Sequence, residues 1–381
     1  MVVLATAGCG APSPSPSATA SSWARGSVEQ PESVTAQPSA TPAYCAPCHP
    51  GVITQMRDVA ATDDGFVAVG SQTPNTAMIW TSVDGSAWSI AESVLDPAGQ
   101  QLDAVAVKGA TVVVTGRGPH GAAAWVSTAP GRWRPATVPA ADGTMTAVLA
   151  TDAGFVAGGY LGAAFGIAEA AFWRSSDGTS WTPIHDDPGS ADGRVAALAT
   201  TDAGLVAVGV SGSPGSDAVG AVSWTSPDGL SWKRASAQPG LDDAAMRSVA
   251  VTPAAIVAVG TTATGDAAAA WTSSDGLAWR RAPDAPAFAS NSTYAPHAEM
   301  SDVLARSDGL LAVGWNSSAA NGSAVIWTSA DGVTWTRAAD APSLSGGGMS
   351  GVTLRDGIAV AVGSTGWPDT HAATAWRHEL R

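Results

Sequence analysis

One nine-residue pattern restricts the possible folds more than any other property of this chain. It opens with Trp, places Ser two residues later and Asp-Gly after one more, and closes with a second Trp eight residues from the first. The first copy runs Trp80, Ser82, Asp84, Gly85, Trp88. The same register returns as Trp173, Ser175, Asp177, Gly178, Trp181, and again as Trp224, Ser226, Asp228, Gly229, Trp232. Two more copies are Trp271, Ser273, Asp275, Gly276, Trp279 and Trp327, Ser329, Asp331, Gly332, Trp335. A sixth, Trp125 to Trp133, keeps Ser127 but carries Ala129-Pro130 in place of Asp-Gly, and a seventh stops at Trp376. A chain with five Phe and three Tyr thus commits most of its sixteen Trp to one device, leaving Trp23, Trp315 and Trp367 outside it.

Upstream of each unit lies a short apolar run ending in Gly, such as FVAVG (66–70), LVAVG (205–209) and LLAVG (310–314), and before that a run such as MRDVAATDDG (56–65). Each copy reads as four short strands, because Gly and Pro interrupt every run and Asp-Gly between apolar segments is a hairpin signal. Seven such copies from about residue 52 onward predict an all-β, seven-bladed β-propeller of four-stranded antiparallel blades, with six blades as the alternative. The last copy lacks a fourth strand. Residues around GVIT (51–54) are expected to supply it, since an unclosed ring exposes strand edges. The paired Trp are expected to seal blade against blade.

The unit resembles the Asp-box, the bacterial neuraminidase repeat found in sialidases and many unrelated propellers, although here Gly follows Asp directly. In that family the box is a structural turn on the blade rim, remote from the pocket. The resemblance implies a propeller and leaves activity open. Sialidases hold a substrate carboxylate with three arginines, use a Tyr activated by Glu and an Asp acid/base, and have six blades. Of these, Arg57 and Arg247 occupy equivalent strand starts, no third comparable Arg is apparent, and the Phe-Arg-Ile-Pro segment is absent. Tyr160 and Tyr294 are the remaining nucleophile candidates, followed in sequence by Glu169 and Glu299.

Variable loops on a rigid scaffold carry binding, and those joining second to third strands and blade to blade hold the unusual side chains. Tyr160, Tyr294, His297, Trp315, Trp367, Asp369 and His371 are therefore the candidate ligand-binding residues, with aromatic and polar groups suited to a sugar or peptide. No phosphate loop, zinc spacing or nucleophile-elbow motif appears, and no catalytic residue, cofactor or metal is expected. The recurring Met56, Met145, Met246, Met300 and Met349 read as core packing before a soft-metal ring.

The N-terminus resembles the end of a bacterial lipoprotein signal, with Cys9 as the lipidated residue and 1–9 as the signal remnant. Residues 10–50 are rich in Pro, Ser and Ala and read as a disordered linker before a propeller at 51–381. Within it, Cys45-Ala-Pro-Cys48-His49 matches a haem-attachment motif, but a Cys45–Cys48 disulfide is the plainer reading outside the cytoplasm. Net charge is −14 with two lysines, which argues against nucleic acid. The outline is a monomeric, non-enzymatic, extracytoplasmic binding scaffold, attached to the bacterial cell membrane by lipid or secreted, and recognising a glycan or envelope protein. A sialidase-like hydrolase is the alternative.

Overall fold

The computed structural model describes residues 23–31, 53–73, 76–91, 101–129, 131–162, 168–184, 192–212, 219–293, 295–317, 322–366 and 371–380. Among these, the strands form seven antiparallel sheets arranged as a seven-bladed propeller. The fifth blade shows the plan: an innermost strand Ala244–Val251, then Ile256–Thr262, Ala268–Ser273 and the short outer pair Arg280–Arg281. Seven apolar cores result, and each joins residues of two neighbouring blades.

The two Trp of each hairpin have different tasks. The first is buried, and in three blades its indole N–H donates to a carbonyl of the segment arriving from the preceding blade. Trp271 reaches Gly240 (3.0 Å), Trp327 reaches Ala287 (2.7 Å) and Trp376 reaches Ser343 (2.8 Å). The second packs against the preceding blade, as Trp335 does beside Val257, while its N–H caps the carbonyl of its own turn glycine. Trp88, Trp181 and Trp279 do the same with Gly85, Gly178 and Gly276. Trp232 departs from the pattern by stacking flat on Phe172 of the neighbouring blade, with centroids 3.9 Å apart.

The turn itself is built by side chains. In the fifth blade the Ser273 hydroxyl accepts the Gly276 N–H at 2.8 Å, and Asp275 Oδ1 accepts Leu277 and Ala278 N–H at 2.9 and 2.8 Å. Gly276 adopts φ +73°, and a Cβ there meets Thr225 and Val206 of the preceding blade within 3.0 Å, so glycine is required both for the turn and for blade contact.

Ring closure corrects the sequence reading. Residue 54 begins the innermost strand of the first blade, Thr54–Thr62, so the stretch at 51–54 is not the missing outer strand. That role falls to β1 (Ala24–Arg25), which pairs antiparallel with Trp376 and Arg377 of the last blade. The following β2 (Ser27–Val28) runs parallel beside Ala87–Trp88 of the first blade, and the Glu29 carbonyl accepts the Trp80 indole N–H. The short polar run was not legible as strand because its anchors, Trp23 and the partly buried Val28, lie outside the repeat. That Trp is 1% exposed and takes the place of the second Trp of the seventh hairpin, packed with Leu311 and Val313 of the sixth blade.

The five recurring methionines are buried in the inter-blade cores, as packing required. No helix among the described residues is long and apolar enough to cross a membrane.

Candidate functional site

A strand normally alternates its side chains between two faces. Each innermost strand of this propeller breaks that rule once, through a β-bulge two residues wide just after its buried apolar start, as between Met56 and Asp58 or Met246 and Ser248. The bulge turns two consecutive side chains toward the axis. Arg57 and Asp58, Asp103 and Ala104, Arg247 and Ser248, and Ser301 and Asp302 therefore line one cavity of about 500 Å³ at the central channel.

At its mouth, where strands begin and the variable loops gather, stand Arg57, Arg194 and Arg247, from the first, fourth and fifth blades. Tyr160 lies in the same cavity, with the Arg194 guanidinium 5.1 Å from its ring centroid. Arg57 meets Asp103 at 3.3 Å, and Gln101 donates to that carboxylate at 2.6 Å. The other Asp103 oxygen is buried without a partner, and burial pushes this acid above the usual carboxylate range although Arg57 opposes the shift. Arg247 meets Glu299 at 3.3 Å. Three guanidinium groups and two carboxylates thus meet at the mouth.

Deeper in the channel, Asp58 and Asp302 knit blades together. Asp58 accepts Val59 and Val105 N–H, and Asp302 accepts Val303 and Val352 N–H and the Ser248 hydroxyl. Burial, with the Asp302 charge nearby, pushes Asp58 up to about 7, and burial pushes Asp302 up to about 6.

A second cavity of about 290 Å³ adjoins the mouth between the sixth and seventh blades and shares Gln55, Ser301 and Ser350 with it. Trp315 and His371 line it, and His297 packs against Trp315 with centroids 4.5 Å apart. Burial lowers both histidines below the ordinary imidazole range, which favours the neutral ring. A larger cavity of about 700 Å³ opens at the hairpin end between the third and fourth blades, around Phe155 and Leu205. Its rim of hydroxyls and Asp152, Asp202 and Asp228 gathers one guanidinium, Arg174, and lies away from the variable loops.

Tyr160, His297, Trp315 and His371 therefore lie on the loop-bearing end, in or beside two adjoining cavities. Tyr160 and Trp315 sit on strands, Gly154–Leu161 and Gly309–Asn316, where loops were expected. Tyr294, Trp367, Asp369, Cys9, Cys45 and Cys48 lie outside the described residues. The Tyr160 hydroxyl meets Thr144 Oγ1 at 3.3 Å, while Glu169 pairs with Leu161 one strand outward. Sequence reasoning missed Arg194. Its blade starts with Val195 where five others have Met, and Arg194 precedes that residue whereas Arg57 and Arg247 follow theirs. Aligning GRV (193–195) with GTM (143–145) and GGM (347–349) exposes the register. No group of three His, Cys, Asp or Glu able to hold a metal occurs among the described residues.

The profile of the DUF6242 beta propeller domain matches residues 97–355. Among solved structures, YCF48 bound to D1 peptide is similar at TM-score 0.56 and 16% identity, over 87% of this chain and 93% of that one. Trypanosoma rangeli sialidase in complex with 2,3-difluorosialic acid, a covalent intermediate, is similar at TM-score 0.52 and 15% identity, over 86% of this chain but 54% of that one. The WD40 beta propeller domain of Doa1 is similar at TM-score 0.50 and 13% identity, over 87% and 95%. These likenesses concern the fold, and this chain spans about half the sialidase. No curated protein matches in sequence.

Proposed function

We propose, from the premise that this chain belongs to the DUF6242 beta propeller family, that it is a non-enzymatic binding scaffold whose channel mouth captures a carboxylate-bearing ligand. One observation carries the reading: Arg57, Arg194, Arg247 and Tyr160, from four blades, converge on a single cavity. Guanidinium forks match carboxylates, and a rigid ring holds the forks in place without ordering cost at binding. The setting proposed for this scaffold is the cell envelope, with a lipid on Cys9 and a Cys45–Cys48 disulfide ahead of the ring. The repeated hairpins are Asp-boxes in a structural role. The ligand is then an acidic glycan or the exposed carboxylate of an envelope protein. Calorimetric titration with glucuronic acid, N-acetylneuraminic acid and a short peptide with free or amidated C-terminus tests the idea. At least one carboxylate should bind and its ester or amide should not; equal binding of both forms, or of neither, defeats it.

A sialidase-like hydrolase is the second reading, favoured by the same three arginines beside a tyrosine. It requires a carboxylate to activate the Tyr160 hydroxyl, whose neighbour is instead the Thr144 hydroxyl. Turnover of a fluorogenic sialoside decides between the two.

A further inference from the structure

We propose that the cavity between the sixth and seventh blades is a subsite for a neutral hexopyranose ring, seated against the indole of Trp315 that Gly348 allows to pack there. The starting point is a register comparison. In the position before the buried strand start, the other six blades carry Gln55, Gln101, Thr144, Arg194, Ala245 and Glu299, and only the seventh has glycine. Neither a positive φ nor a backbone collision accounts for it. The nearest atoms to a Cβ at Gly348 are Cδ1, Cβ and Cγ of Trp315, at 3.2 to 3.5 Å. The neighbouring Gly347 does have a packing reason, since a Cβ there runs into Trp376 at 2.9 Å. Gly348 likewise has a packing reason, because a Cβ there would press on the indole, so glycine lets Trp315 lie close against this strand and form a wall of the cavity.

The remaining lining selects the occupant. Ser350, Ser364, Thr365, Gln55 and His371 surround the cavity with hydroxyl, amide and imidazole groups that both donate and accept hydrogen bonds. The one charged group, Glu299, is engaged by Arg247. A half-buried indole beside uncharged, two-way hydrogen-bonding groups suits a ring with an apolar C–H face and a rim of hydroxyls. The volume of about 290 Å³ admits a single ring. Because the cavity shares Gln55, Ser301 and Ser350 with the channel mouth, a glycan whose acidic residue meets the arginines can place a neighbouring neutral residue here. The pocket itself does not depend on that arrangement.

Saturation-transfer NMR and intrinsic tryptophan fluorescence with methyl glucoside, galactoside, mannoside and N-acetylglucosaminide, all uncharged, test the subsite directly. At least one should bind, and Gly348→Leu, which presses on the indole, and Trp315→Ala should each weaken it about tenfold or more. Because every glycoside in the panel is uncharged and no carboxylate ligand is present, failure of the carboxylate site and failure of this subsite are read separately. Gly348→Ser, which presses on the indole less than leucine does, should give an intermediate loss. The proposal is overturned if no hexopyranoside in the panel binds, or if binding survives both Gly348→Leu and Trp315→Ala.

Discussion

Trp23 stacks on His378 with ring centroids 5.3 Å apart and planes inclined by 29°, so the first described residue of the chain locks onto its last strand. This contact, two residues of strand pairing and the Arg25 side chain on the Ser343 carbonyl hold the seventh blade closed. Truncating a fully buried Trp costs about 3–5 kcal/mol. Trp23→Ala is therefore expected to lower the thermal midpoint by several degrees, and deletion of residues 1–31 to lower it further and promote association through the bared edge strand Ala372–Glu379. Scanning calorimetry and light scattering check this. Unchanged melting in both variants rules out the clasp.

Much of this architecture was legible in the repeat. Trp271, Ser273, Asp275, Gly276 and Trp279 announce a hairpin through residue chemistry alone, and copies at a steady register announce a ring. The clasp was hidden because its two-residue strands have no periodicity to detect, and their pairing spans more than 350 positions in sequence, from Ala24 to Arg377. The channel mouth was half visible. Arg57 and Arg247 follow a Met that marks their place, but whether they face the axis depends on bulges, which shift alternation by one residue and leave no fixed sequence mark. Arg194 lacked even the Met.

The channel acids set a pH dependence with a definite sign. Asp58 is raised to about 7, first by burial and then by the Asp302 charge, and Asp302 to about 6 by burial, from an ordinary 3.8. The folded ring therefore keeps protons that the unfolded chain has released between about pH 4 and 7. Stability contributed by the protonated forms is full below that window and is lost as pH rises through it. The two carboxyls titrate as a pair, so the effect belongs to both, and for Asp58 it is on the order of 4 kcal/mol. Urea unfolding should show wild type weakening from pH 5 to pH 8, and Asp58→Asn should flatten that slope whatever its baseline. A slope unchanged in Asp58→Asn removes this acid from the account.

At the rim the sign reverses. Backbone N–H groups of Ala278 and Leu277 hold Asp275 below the usual carboxylate range, as those of Ser86 and Ala87 hold Asp84. Stability from these turns is present above the unfolded value and disappears as pH falls below about 4. Replacing the acceptor resembles loss of a helix N-cap, about 1 kcal/mol. Asp275→Ala should cost roughly that much at pH 5, as should Asp84→Ala, and the two costs should add because the hairpins lie on different blades. Chemical denaturation of the single and double variants measures it. A cost near zero means that the Ser273 hydroxyl carries the turn alone.

Tyr160 separates the scaffold reading from the hydrolase reading at one atom. Its ring lies under the Arg194 guanidinium, a contact worth about 0.5–1 kcal/mol or more when partly desolvated, and that contact needs the ring but not the hydroxyl. If the mouth only binds, Tyr160→Phe should hold a carboxylate ligand within about twofold of wild type, while Tyr160→Ala, which removes the ring beneath the Arg194 guanidinium, should weaken it about threefold to tenfold. Arg194→Met should lose more than either, and its residual binding should depend less steeply on salt because one cation is gone. If the mouth instead performs hydrolysis with Tyr160 as nucleophile, Tyr160→Phe abolishes turnover while leaving ligand affinity intact. Parallel calorimetry and fluorogenic sialoside assays on these variants distinguish the cases. Sialoside turnover by wild type that disappears in Tyr160→Phe ends the non-enzymatic reading.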